Sequence, residues 1–163
     1  VHARHAAEFT LPRFAGWWGH NKKTRFLMGP DFDPIAGAEG WQLSNPPIFQ
    51  LATLRASMEL FDEATMPELR KKSERLTGYL EFLLDKIKEG TCTITTPRDP
   101  AQRGSQLSLR LKGNPKVLLR DLGEQGVICD FREPDIIRVA PTALYNTFTD
   151  VHRFVAILGE HAC

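Results

Sequence analysis

An excess of charge of either sign is missing from this sequence. Its 21 Lys and Arg stand against 20 Asp and Glu, a formal net charge of +1, so there is no broad field to gather nucleic acid or an anionic membrane, and any basic site must be local. Cysteine is scarce. Cys92, Cys129 and Cys163 are an odd number without C-x-x-C spacing, which argues against a disulfide scaffold or a thiolate zinc site and fits free thiols in a reduced, cytoplasmic setting. No run approaches the roughly 18 apolar residues of a membrane span, and neither a Gly-rich phosphate loop nor a G-x-S-x-G elbow occurs. His2, His5, His20, His152 and His161 include no pair at metal-ligand spacing with a third ligand nearby, so no metal is expected. The opening Val1-His2-Ala3-Arg4-His5 lacks both the apolar segment of a signal peptide and an initiator Met. The expectation is a chain that begins mid-protein.

What is present is enough for one core: 163 residues at 42% hydrophobic composition make one domain, or a domain plus a segment of a second. Residues 1–44 are punctuated by Pro12, Gly16, Gly19, Gly29-Pro30, Pro34, Gly37 and Gly40 and read as mostly irregular, a length of loop that is functional or held by packing on something else. From Asn45 the pattern changes. Asn45 stands where it can cap a helix over residues 46–63 with Pro46 and Pro47 in its first turn, and Ile48, Leu51, Leu54, Met58 and Phe61 recur at helical spacing. Thr65 and Glu68 have capping-box spacing before a second helix, 66–88, ended by Gly90. Residues 91–96 and 105–111 read as half-buried strands, 114–125 as a helix closed by Gly126, 127–131 and 136–139 as short strands, and 148–162 as a last helix capped by Thr147 or Thr149. Two helices followed by β-β-α-β-β-α predict an α+β layer, helices on one face of a small, mainly antiparallel sheet.

Three places can carry chemistry. Gly16-Trp17-Trp18-Gly19-His20 either presents a ring and its indole N–H to a ligand or partner chain, or anchors a long loop to a core. Arg138 lies in the strand run Ile136-Ile137-Arg138-Val139, where its planar fork suits a local Asp or Glu first, or else a substrate carboxylate. Asn45 is a helix cap, or with Ser44 a pair of donors at an anion-binding helix start. Lys22-Lys23-Thr24-Arg25 beside the tryptophans would combine stacking with charge on a single strand, but four residues on a neutral chain do not make a nucleic-acid site.

Taken in order, Gly16-Trp17-Trp18-Gly19-His20, Ser44-Asn45-Pro46-Pro47-Ile48, Leu69-Arg70-Lys71-Lys72-Ser73 with Leu76-Thr77, Arg103-Gly104-Ser105-Gln106-Leu107, and Arg138-Val139-Ala140-Pro141 with Leu144-Tyr145-Asn146-Thr147-Phe148 resemble kynureninase over nearly the whole chain. That family is a pyridoxal-phosphate enzyme of the aspartate-aminotransferase fold class. The resemblance implies that residues 46–163 are the C-terminal small domain of a fold-type-I enzyme and that residues 1–45 are an irregular segment of the large domain and dimer interface. It implies hydrolysis of kynurenine or 3-hydroxykynurenine to alanine and an anthranilate, in tryptophan catabolism and NAD biosynthesis, by a cytoplasmic homodimer. Trp17 would give its indole N–H to the cofactor phosphate across the dimer interface, and Asn45, beside Ser44, would reach cofactor or substrate. Arg138 would bind the substrate α-carboxylate, with Trp18 available to stack on its ring. No lysine here stands in the family's cofactor-lysine motif, so the chain by itself is expected to be inactive. The alternatives are the small domain of another enzyme of this fold, such as a cysteine desulfurase or aminotransferase, and a stand-alone interaction module.

Overall fold

The computed structural model describes residues 1–8 and 10–160. In chain order its elements are α1 (Ala3–Ala6), α2 (Ile48–Ala64), α3 (Met66–Leu84), β1 (Cys92–Ile94), β2 (Leu107–Leu111), α4 (Pro115–Glu124), β3 (Asp130–Arg132), β4 (Ile136–Val139) and α5 (Phe148–Glu160), with 3-10 turns at Arg25–Leu27, Ala38–Trp41 and Pro100–Gln102. Contacts divide the chain into two units, Val1–Glu59 and the part from Leu60 onward, and α2 runs across the division.

In the second unit the strands lie in the order β1-β2-β4-β3 and every pairing is antiparallel. Period-2 alternation decides which face is dry: Leu107, Leu109 and Leu111 of β2 and Ile137 and Val139 of β4 are buried, while Ser108, Arg110 and Arg138 stand on the other face. Against the buried row pack Leu76, Leu80 and Leu84 of α3, Leu122 of α4, and Val151, Phe154, Val155, Ile157 and Leu158 of α5. Each fully buried leucine contributes about 1.5–3 kcal/mol. This is the α+β layer, with its helices on one face, that the pattern predicts.

Polar contacts fix the layers in register. Glu81 of α3 takes both fork nitrogens of Arg103, each at 2.6 Å, with the arginine side chain only 2% exposed. Ser73 and Ser105 share a hydrogen bond of 2.7 Å, and Lys72 donates to the Ala143 carbonyl. Asn114 caps α4 by accepting from the Lys116 amide. At α5, Thr147 accepts from the Asp150 amide while Asp150 accepts from the Thr147 amide, a reciprocal cap.

Several local expectations are corrected. Asn45 does not cap α2: the helix begins at Ile48, and Pro47 supplies the carbonyl that accepts from Leu51. The residue before a proline is pushed out of the helical region, so Pro46-Pro47 holds Asn45 and Pro46 out of the first turn. The Thr65/Glu68 capping box does not form either. Thr65 sits at positive φ with its amide already given to Phe61 of α2, so it serves as the corner between two helices. α3 ends at Leu84, short of 88, where the Lys86 amide tightens onto the Leu83 carbonyl and Asp85 turns aside to Arg98. Val127 to Cys129 are not strand, because the Val127 amide closes α4 on Leu122. The strands expected at 91–96 and 105–111 are shorter, Thr96 offering its side-chain oxygen to the Ser108 amide in place of a ladder bond. α5 is observed to Glu160; the rest of its expected span, to Ala162, and the free thiol expected of Cys163 lie outside the described residues. The α2 stripe of Ile48, Leu51, Leu54, Met58 and Phe61 is helical as expected but exposed throughout.

Candidate functional site

The glycines around the tryptophan pair are there for close packing of main chain on main chain. A Cβ on Gly16 would stand 2.4 Å from the Gln42 carbonyl oxygen, and one on Gly19 would stand 2.6 Å from that of Gly40, distances no side-chain carbon tolerates. The turn therefore lies directly on residues 40–43, with the Trp18 amide directed to the Leu43 carbonyl at 3.5 Å. The two rings then have different fates. Trp18 is half-buried beneath the Arg25 guanidinium, 5.0 Å above its ring. Trp17 is 43% exposed, meets Phe26 edge-on, and its indole N–H has no partner among the described residues. A cleft of about 250 Å³ lined by Trp17, His20, Arg25 and Phe32 opens beside it.

Ser44 and Asn45 follow at once on the segment that the tryptophan turn rests on, and both are exposed. Gln42 donates to the Ser44 carbonyl at 3.1 Å. Trp17, Trp18, Ser44 and Asn45 thus belong to one packed piece of the first unit.

Arg138 belongs to the second unit. Register places it in a cross-strand row, Ser108 of β2 on one side and Asp130 of β3 on the other. Its Nη2 donates to the Asp130 carboxylate, which also accepts from Arg132 at 3.1 Å. The pairing is one-sided. Arg138 Nε is buried and has no hydrogen-bond partner among the described residues, although the side chain as a whole is 31% exposed. An unpaired buried N–H is costly, and the fork is only half used; with Nε closed off from solvent, it is the exposed remainder of the side chain that is open to an incoming carboxylate. Tyr145, within the Thr142–Asn146 turn, is exposed.

Asp130 was not legible in the sequence as the partner of Arg138, since only strand register brings them together. Arg25 was visible there only as part of a basic run, and nothing local tied it to Trp18. A larger cleft, about 500 Å³ around Lys88, Lys112 and Asn114, holds none of these residues; volume does not mark the chemistry here. Among the described residues no cluster of His, Cys, Asp and Glu is arranged to hold a metal, and no helix is long and apolar enough to cross a membrane. Cys92 and Cys129 are free, and burial pushes the Cys129 thiol up to about 11, which keeps it protonated and unreactive at neutral pH.

The sequence matches the Kynureninase C-terminal domain family over residues 69–158. Among curated relatives, the kynureninase of Myxococcus xanthus is 69% identical over 162 residues, 99% of this chain, and that of Koribacter versatilis is 59% identical over 155 residues, 95% of it. The chain spans 38% and 37% of the length of those two relatives. Among solved structures, the apo cysteine desulfurase from Thermococcus onnurineus NA1 is similar with a TM-score of 0.75 at 14% identity, covering 99% of this chain and 42% of that one. A C-DES mutant with glycine covalently linked to its PLP cofactor has a TM-score of 0.70 at 19% identity, covering 98% and 40%. Identities this low speak for the fold alone: a small domain of the kind found in pyridoxal-phosphate enzymes of fold type I.

Proposed function

The chain belongs to the kynureninase C-terminal domain family, and on that premise we propose that it forms the C-terminal part of a pyridoxal-phosphate-dependent hydrolase. The enzyme cleaves kynurenine or 3-hydroxykynurenine to alanine and an anthranilate, in tryptophan catabolism and NAD biosynthesis. Residues 46–163 are its small domain, residues 1–45 belong to the large domain and dimer interface, and the assembled enzyme is a cytoplasmic homodimer. The lysine that carries the cofactor lies outside this chain, so the residues here bind and orient.

The observation that carries this reading is the half-used fork of Arg138, with one nitrogen on Asp130 and Nε buried without a partner. A substrate α-carboxylate meets the exposed part of that fork and fixes the amino-acid end. The aryl end is bounded by the aromatic turn, Trp18 contributing ring surface. Asn45, with Ser44 beside it, hydrogen-bonds the ring hydroxyl, which favours the 3-hydroxy substrate because the analogue lacking it leaves a polar group unpaired. The donor set fits the cofactor: an exposed indole N–H on Trp17, without a partner among the described residues, suits a phosphate oxygen. Pyridoxal phosphate, when bound, supplies the electron sink for cleavage.

The test is Arg138→Lys in the full-length enzyme. Lysine keeps the charge and loses the fork, so KM for 3-hydroxykynurenine rises roughly 10- to 150-fold, the equivalent of about 1.5–3 kcal/mol, while cofactor binding is unchanged. Unaltered kcat/KM removes Arg138 from the site.

A further inference from the structure

Arg25 and Phe26 are consecutive residues of the 3-10 turn Arg25–Leu27, and each grips one of the two consecutive tryptophans. The Arg25 guanidinium covers the Trp18 ring at 5.0 Å, and its Nη2 donates to the carbonyls of Trp18, at 2.8 Å, and His20, at 3.0 Å. Those two carbonyls flank Gly19, so one nitrogen ties both ends of the bend. Phe26 meets Trp17 with ring centroids 5.3 Å apart and planes at 79°, the edge-on arrangement that aromatic quadrupoles prefer.

The chemistry of this contact is that of a brace. Arg25 forms no ion pair among the described residues, and its Nε is buried without a partner. A cation placed for its charge alone would not spend its donors on main-chain carbonyls. Here they set the backbone of the turn, while the adjacent phenyl ring sets the plane of the exposed indole. The base of the turn is fixed independently by the close approach of Gly16 and Gly19 to residues 40–43. Trp17 is thereby left one free polar group, its N–H, in a defined direction.

We infer that Arg25, acting with Phe26, is a positioning residue that pre-orients the Trp17 indole N–H for the phosphate of the cofactor. The inference rests on the assignment of Trp17 as a phosphate donor. Pre-orientation raises affinity by removing the ordering cost of the side chain at binding, an effect of roughly 5-fold for one immobilised aromatic. Because Arg25 acts through Trp17, its contribution vanishes once the indole N–H is gone.

A double-mutant cycle decides this. The dissociation constant of pyridoxal phosphate is measured by titrating the full-length apoprotein, for wild type, Arg25→Met, Arg25→Lys, Trp17→Phe and the Arg25→Met/Trp17→Phe double variant. The expected result is a weakening of roughly 5-fold in Arg25→Met, largely restored in Arg25→Lys, which can still donate to the carbonyls. Trp17→Phe weakens binding by 10-fold or more, and the double variant is no weaker than Trp17→Phe alone. An Arg25→Met effect that persists undiminished beside Trp17→Phe, or no effect of Arg25→Met at all, overturns the inference while Trp17 keeps its role. Equal dissociation constants for wild type and Trp17→Phe overturn the Trp17 assignment, and the inference falls with it.

Discussion

Between Val1 and Glu59 the only buried apolar side chain among the described residues is Ala6, whereas from Leu60 onward leucines, isoleucines and valines of three helices and two strands fill one continuous core. The first unit is held by other means: glycines that let backbone lie on backbone, Asn21 bonded twice to Asp33, and Arg25 under two carbonyls. Its large apolar side chains point outward, Phe14 at 82% exposed and Phe26, Leu27 and Met28 with it. A surface of that kind marks an interaction face, in keeping with the dimer-interface role proposed for this segment. The contrast separates two sources of order. Burial specifies the second unit and tolerates local detail; steric fit of the main chain specifies the first and tolerates almost none.

The three tryptophans, Trp17, Trp18 and Trp41, all lie in the first unit, so indole fluorescence reports on it while far-ultraviolet circular dichroism is dominated by the helices of the second. The largest effect is expected from Glu81→Ala, which strands Arg103, 2% exposed, without its counter-ion. The second unit should lose about 3–5 kcal/mol in denaturant, visible in the helical signal and not as an equal shift in fluorescence. Identical shifts in both probes would break the comparison. Gly40→Ala is the converse. Its Cβ would fall 2.1 Å from the Ile35 carbonyl oxygen, and a loss of roughly 1–3 kcal/mol should appear in the fluorescence transition while helical content holds. The smallest effect concerns the cap of α5. The Thr147 amide and hydroxyl hold the Asp150 carboxyl below the usual carboxylate range. A carboxyl with a depressed native pKa adds stability above its unfolded pKa of about 3.9, and that contribution is lost as pH falls through the lower native value. Thr147→Ala should lower the melting temperature by about 4 °C or less at neutral pH and flatten that acid limb; an acid limb as steep as in wild type would remove the cap from the account.

Legibility in the sequence follows the same division. α3 and β2 were readable because their periodic leucines answer to a core contained in the chain, and the α+β layer follows from them. The α2 stripe has the same periodicity without the burial, since a pattern states which face is apolar and not what covers it. Asn45 was misplaced because Pro46-Pro47 suits a first turn by propensity, while the chain uses it as an extended approach. At the candidate site the side chains themselves stood out: Trp17, Trp18, Ser44, Asn45 and Arg138. Their neighbours did not, because Asp130 reaches Arg138 only through strand register and Arg25 reaches Trp18 only through a folded-back turn.

Ile137 and Val139, on either side of Arg138, are anchored in the core, and strands pair with β4 on both flanks. The arginine's backbone has no hinge of its own. Side-chain torsions can swing the fork, but its base cannot travel without β2, β3 and the helices stacked beneath them. Any approach of this arginine to a ligand over more than a side chain's reach is therefore a displacement of the whole layer, and its amplitude should be the same at Ser108 and Asp130 as at Arg138.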